Sequence, residues 1–234
     1  MSVIQGARER ARREVTAAIK DEARRQLATE GAAKLSLRAV ARELGMVSSA
    51  LYRYFPSRDD LLTALIIDAY DAAGEAAEHA LAEADTAPVA RWTAVCRAVR
   101  GWALEHPHEY ALIYGSPVPG YAAPQATTAS AARVGLALIG VVEDAYPADV
   151  SPAPAAPSLP REVLDDAEEL RRTLDVRLPA PVLAEIAAAW AELFGLVSFE
   201  VFGQFNRVIE ARDAFFARAA TRLAQNVGLT VGGE

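Results

Sequence analysis

Residues 36–58, SLRAVARELGMVSSALYRYFPSR, constrain this chain more than any other stretch. Ser36 can cap a short helix on which Leu37, Val40, Ala41 and Leu44 recur at the spacing of one apolar face. Gly45 ends that helix, because the sharp turn that follows needs a residue at ease with positive φ. Ser48 can cap a second helix, with Leu51 and Phe55 four apart on its inner side and Pro56 to stop it. Ser49, Tyr52, Arg53 and Tyr54 occupy the rest of its surface, a short face of hydrogen-bonding and aromatic groups. Two short helices joined by a glycine turn, the second polar on its free side, have the layout of a helix-turn-helix. The second helix of that motif fits the DNA major groove.

The remaining chain must bury a core and carry the charge balance. With 234 residues, 52% of them hydrophobic and 24% charged, it suits one medium globular unit or two small ones. The apolar runs read as too short for the roughly 18 residues of a membrane span, so no membrane partner is expected. Arg8, Arg10, Arg12 and Arg13 lead into an amphipathic stretch and give no signal-peptide pattern. The single cysteine, Cys96, excludes an intramolecular disulfide and fits a cytoplasmic protein. The net charge of −7 is unevenly spread: residues 1–60 hold 12 basic and 8 acidic residues, the remainder 12 and 23. A basic head on an acidic body is an electrostatic footprint for duplex DNA.

Helical periodicity accounts for most of the chain, and no strand signal competes with it. A first helix is expected over 7–29 and is closed by Gly31. The arginines at 8–13 could follow phosphates, probe a minor groove or form a frayed end. Ser57 caps a long helix to about Ala84, and Pro88 opens another that ends at His106-Pro107. A short helix over 108–114 precedes GSPVPGY at 115–121, a loop by its turn-formers. Helix resumes near Gln125 and runs to Tyr146, followed by a proline-rich loop at 147–160 and a charged helix at 161–174. The helix at 181–203 is apolar on most of its circumference, which predicts burial on two sides, one of them by a second subunit. Asp213 caps a last helix to 227. The fold class is therefore all-α, with about nine to ten helices.

The run L-x-x-V-A-x-E-L-G-x-x-x-x-A-L-Y-R-Y-F-x-S-R-x-x-L-L, from Leu37 to Leu62, resembles the DNA-binding signature of the TetR family of bacterial transcriptional regulators. The resemblance is dense from Val15 to Leu62 and implies two domains, residues 1–58 for DNA and 59–234 for ligand binding and dimerisation. It also implies base-facing positions at Arg38, Val47, Ser48, Ser49 and Ala50. Phosphate-contacting positions fall at Leu37 (through its backbone), Tyr52, Tyr54 and Arg58, with Arg53 near both sets. The expected partners are a palindromic DNA operator, a small-molecule effector and a second copy of the chain. The C-terminal half resembles the WHG subclass, named for Trp-x-x-x-His-Gly. Here the run is Trp190-Ala-Glu-Leu-Phe194-Gly195, with phenylalanine in the histidine's place, which suggests an apolar ligand.

Aromatic residues of the body supply the candidate ligand lining: Trp92, Trp102, Tyr110, Tyr114 and Phe194. Gly195, Phe199, Phe202 and Phe216 are the candidate dimer contacts. Nothing points to catalysis, a metal or a cofactor. Of the histidines His79, His106 and His108, the last two flank a proline and would not share a helical face, no Cys/His cluster has ligand spacing, and no phosphate-binding glycine loop occurs. The expected function is a homodimeric repressor released from its operator by a small, mostly apolar ligand, and two other readings stand beside it. One is a helical enzyme or carrier with a degenerate head; the other is a regulator that activates or needs no ligand.

Overall fold

The computed structural model describes residues 3–146 and 159–230, with side chains from residue 6 onward. Among these residues there are ten α-helices and no strand. They are α1 (Val3–Glu30), α2 (Leu37–Glu43), α3 (Ser48–Leu51), α4 (Arg58–Glu83), α5 (Pro88–Glu105), α6 (Pro107–Tyr114), α7 (Thr128–Ala145), α8 (Arg161–Leu174), α9 (Ala180–Val201) and α10 (Arg212–Asn226). Of the proline-rich stretch, residues 147–158 lie outside the described part.

The chain packs into two compact units that interleave in sequence. One is Met1–Asp71 with His106–Ser130; the other is Ala72–Glu105 with Ala131–Glu234. The first packing unit runs on past residue 58 to Asp71 and takes in His106–Ser130. α4 is one uninterrupted helix that contributes residues to both units.

In the first unit the apolar stripes of α1, α2, α3 and α4 meet in one core containing Ile19, Leu27, Val40, Leu51, Leu61 and Leu65. Leu112 and Val118 pack on that core, so α6 and the loop after it are part of the head's packing. Tyr121 packs there too, its hydroxyl 2.9 Å from that of Thr63. Lys20 and Arg24 of α1 both reach Asp68 of α4 at 2.7 Å.

In the second unit α5 packs on α9 and α10, and α8 packs on α9. The α7 segment and α9 are long and apolar enough by composition to cross a membrane, contrary to the reading of the runs as too short. Alanine raises their hydropathy, and each turns a row of larger residues inward: Val134, Leu138 and Val141 on α7, Leu183, Leu193 and Val197 on α9.

Several helix ends differ from the sequence reading. α1 begins at Val3, not residue 7, so the arginines at 8–13 are helical. Ser48 is already the first residue of α3, with Val47 at the cap and no side-chain cap bond. α3 closes at Leu51, and residues 52–54 continue as tight turns, so the second helix of the motif is shorter than expected. α9 stops at Val201, where Gly203 takes φ +79°. α10 starts at Arg212 on an Ala211 cap, which places Asp213 inside the first turn. The Ser36 cap (3.4 Å to the Ala39 amide), the Ser57 cap (3.1 Å to the Asp60 amide) and the positive φ of Gly45 (+64°) match the sequence reading.

Candidate nucleic-acid interface

The short helix α3 is anchored from behind. Leu51 is fully buried and Phe55 nearly so, both in the head core. Whatever alternates with them must face solvent: Val47, Ser48, Ser49, Tyr52 and Arg53 are exposed, as is Arg38 on the first turn of α2. Ala50 is half-buried. Short side chains at the start of α3, flanked by an arginine on each side, let a helix approach base edges closely while cations meet phosphate.

The other expected DNA residues are placed differently. Leu37 buries its side chain, leaving only its backbone amide, one of the first-turn N–H groups that a helix leaves without an internal partner. Tyr54 is half-buried against the core, and the Arg12 guanidinium lies over its ring at 5.3 Å. Arg58 is largely engaged. Its Nε donates to the Leu35 carbonyl at 3.2 Å, and Nη2 donates to those of Ala32 and Ala33 at 2.8 and 3.3 Å. This arginine fastens the start of α4 to the connection between α1 and α2.

The expected ligand residues are divided between the two units. Tyr110 and Tyr114 belong to the first unit, where Tyr114 stacks on Tyr110 at 5.2 Å and meets the Tyr70 edge at 5.9 Å. Burial pushes the Tyr114 and Tyr70 hydroxyls above their ordinary range, so they stay protonated. Trp92, Trp102 and Phe194 belong to the second unit and are buried.

Sequence reasoning missed a different feature of that unit, an apolar groove of about 310 Å³ between α7, α8 and α9. Ala131, Ala132 and Gly135 line it from α7, Leu170 and Leu174 from α8, and Ala187 and Trp190 from α9. Its lining holds no charged side chain. The available signal was the small residues at positions 131, 132 and 135, which leave room where larger ones would close the gap.

On α9 the inner side is filled, but the other side is not. Phe199 is 53% exposed and Phe202 43%, with Phe215 of α10 also exposed. Around Gly195 a Cβ would meet nothing within 4 Å. Phe216 turns the opposite way, buried 5.1 Å from the Arg100 guanidinium.

An exposed helix-turn-helix, in a chain whose described residues are all helix and loop, puts the protein in the class of helix-turn-helix folds, whose second helix can enter the DNA major groove. Residues 19–65 match the family described as bacterial regulatory proteins, tetR family, and residues 92–223 match the tetracyclin repressor-like C-terminal domain. The chain is 40% identical over 225 residues to the HTH-type transcriptional regulators Rv1816 of Mycobacterium tuberculosis and Mb1846 of Mycobacterium bovis, covering 93% of this chain and 94% of each. The solved structure of SCO4313, described as a regulatory protein, superposes with a TM-score of 0.76 at 34% identity, over 93% of this chain and 98% of that one. PfmR of Thermus thermophilus, described as a TetR family transcriptional regulator, shares the fold at TM-score 0.54 and 19% identity, over 88% of this chain and 95% of that one. This chain belongs to the TetR family of bacterial transcriptional regulators.

Proposed function

We propose that the protein is a homodimeric repressor that leaves a palindromic operator when a small apolar ligand binds its body. The observation that carries this reading is the exposed aromatic side of α9 and α10. Phe199 and Phe215 are exposed although both meet the Phe205 ring, at 5.6 and 5.5 Å, and a Cβ at Gly195 would meet nothing within 4 Å. Apolar residues clustered on one helix face are expensive to leave in water, and a two-fold copy of the same face covers them most simply.

Two heads in such a dimer read half-sites about 34–36 Å apart, one helical turn of duplex. Arg38 is the candidate for direct base reading, with Val47, Ser48, Ser49 and Ala50 close to the groove floor. Tyr52, Arg53, Tyr54, Arg58 and the Leu37 amide are the candidate backbone contacts. Residues 1–58 thus serve DNA, and 59–234 serve dimerisation and ligand, in the compartment that holds the chromosome.

The apolar groove supports a ligand site, since its volume and uncharged lining match the chemistry of small-molecule sites. α4, continuous from Arg58 to Glu83, is the element that can carry a change of body conformation to the head. A ligand that prefers one body conformation by about 1–3 kcal/mol alters DNA affinity about 5- to 150-fold.

The test is one set of measurements on the full chain. Light scattering at micromolar concentration should give the mass of a dimer. A duplex selected from a random library should contain an inverted repeat. A lipophilic compound that quenches tryptophan should bind less tightly when that duplex is present. A monomer, or a selected site without symmetry, would overturn the dimeric reading; ligand affinity indifferent to DNA would overturn the release mechanism.

A further inference from the structure

Arg8, Arg10, Arg12 and Arg13 stand outside the helix-turn-helix, yet α1 carries one of them onto it. Because α1 is helical from Val3, these side chains ride on a rigid element. At 100° per residue, positions 8 and 12 fall on the same stripe as Val15 and Ile19. Ile19 is fully buried in the head core, and Val15 packs against it. Toward the N-terminus the stripe continues with arginine in place of apolar residues, and both Arg8 and Arg12 are exposed.

The Arg12 guanidinium lies over the Tyr54 ring, and its Nη2 donates to the Arg53 carbonyl at 3.4 Å. Arg53 and Tyr54 form the turn directly after α3. Arg12 is therefore held at the C-terminal end of the recognition helix. A guanidinium has five N–H donors, and the Arg53 carbonyl takes one. Arg8 stands about 6 Å further along the same stripe, at 1.5 Å per residue. Arg8, Arg12 and Arg53 are all exposed cations, and a polyanion is the partner that their charge attracts.

We infer that the N-terminal turns of α1 are a second DNA-contacting element, in which Arg12, seated on Tyr54, and Arg8 bind backbone phosphates beside the recognition helix. The inference rests on duplex binding by the head. Phosphate is the partner because a recognition helix meets base edges with its N-terminal residues, whereas Arg12 is tied to its far end. Such contacts fix register on the duplex and carry no sequence information themselves.

The experiment measures binding of the full chain to two labelled duplexes of equal length across a salt series. One is selected from a random library; the other is unrelated. Arg8→Ala and Arg12→Ala should each flatten the slope of log affinity against log salt by about 0.9, and the double variant by about twice that. The preference for the selected duplex should not change. Arg12→Lys, which keeps the charge, should keep most of the slope. Arg161→Ala, removing an exposed arginine of α8, should leave it untouched. Thermal melts matched to wild type show that each variant is folded.

A folded double variant with the wild-type slope overturns the inference and leaves the head's own DNA role standing. An altered preference between the two duplexes assigns these arginines to base reading and overturns the phosphate role. A wild-type chain that binds neither duplex brings down the reading of the head, and the inference with it.

Discussion

Arg100 and Glu200 form a two-point ion pair within the second unit, Nε to Oε2 at 2.6 Å and Nη2 to Oε1 at 2.7 Å. The Glu200 side chain is 5% exposed and that of Arg100 14%, so the pair is largely out of water. Arg100 also reaches Asp213 at 2.7 Å, tying α5 to both α9 and α10. Its charge is held more firmly than usual, chiefly by the hydrogen bonds from Arg100 to Glu200.

Removing Glu200 should leave the Arg100 charge, largely out of water, with only the exposed Asp213 carboxylate as its ion-pair partner. Glu200→Ala is expected to cost about 1.5–3 kcal/mol, read as a lower midpoint of chemical denaturation. Asp213→Ala should cost no more than about 1 kcal/mol, because that carboxylate is 92% exposed. Equal losses in the two variants would show that burial does not set the strength of the pair.

Arg58 should act on the head before it acts on DNA. Arg58→Ala removes charge-assisted bonds to the carbonyls of Ala32, Ala33 and Leu35 and should lower stability by about 1.5–3 kcal/mol. Arg38→Ala touches no such staple. It should leave the melt unchanged and relax preference at one operator position by about 1–3 kcal/mol, measured by competition between single-base variants. An Arg58→Ala variant with a wild-type melt and a flatter salt slope would assign Arg58 to phosphate instead.

Phe199→Glu places a charge on the exposed side of α9 and should yield folded monomers at micromolar concentration, read by light scattering. A dimeric Phe199→Glu protein would locate the contact elsewhere.

Gly135→Leu grows a side chain from α7 where a Cβ would meet nothing within 4 Å, on the lining of the apolar groove. The variant should lose tryptophan quenching by lipophilic compounds and keep duplex affinity. Unchanged quenching would place the ligand outside this groove.

Burial pushes the Cys96 thiol from an ordinary value near 9 up to about 12. Below 9 both folded and unfolded chains keep the proton, and the full stability is present. Between 9 and 12 the unfolded chain releases it and the folded chain does not, so stability falls as pH rises through that window. Urea unfolding at pH 8 and near pH 10.5 should show a loss that Cys96→Ala reduces. The native thiol should also resist alkylating reagents at pH 8.

Short-range chemistry, legible residue by residue in the chain, set the local layer of this protein. The Gly45 turn, the Ser36 and Ser57 caps and the inward spacing of Leu51 and Phe55 placed α2, α3 and α4 and exposed Arg38, Ser49 and Arg53. Ends set by competition among neighbouring residues were less legible. Asp213 looked like a cap but pairs with Arg100 of α5, more than a hundred residues earlier in the chain.

Where each aromatic and each arginine sits was decided by packing, because periodicity names a face and not what lies against it. Phe215 and Phe216 are adjacent and chemically alike, yet one is exposed and the other lies under Arg100. Arg12 and Arg58 read alike as cations for phosphate. The fold puts Arg12 on Tyr54 and turns Arg58 onto three backbone carbonyls. The apolar groove arises where alanines and a glycine on α7 face α8 and α9, a gap fixed by helices distant in sequence. Such long-range placement follows from the sum of many weak packing energies, which no single stretch of sequence displays.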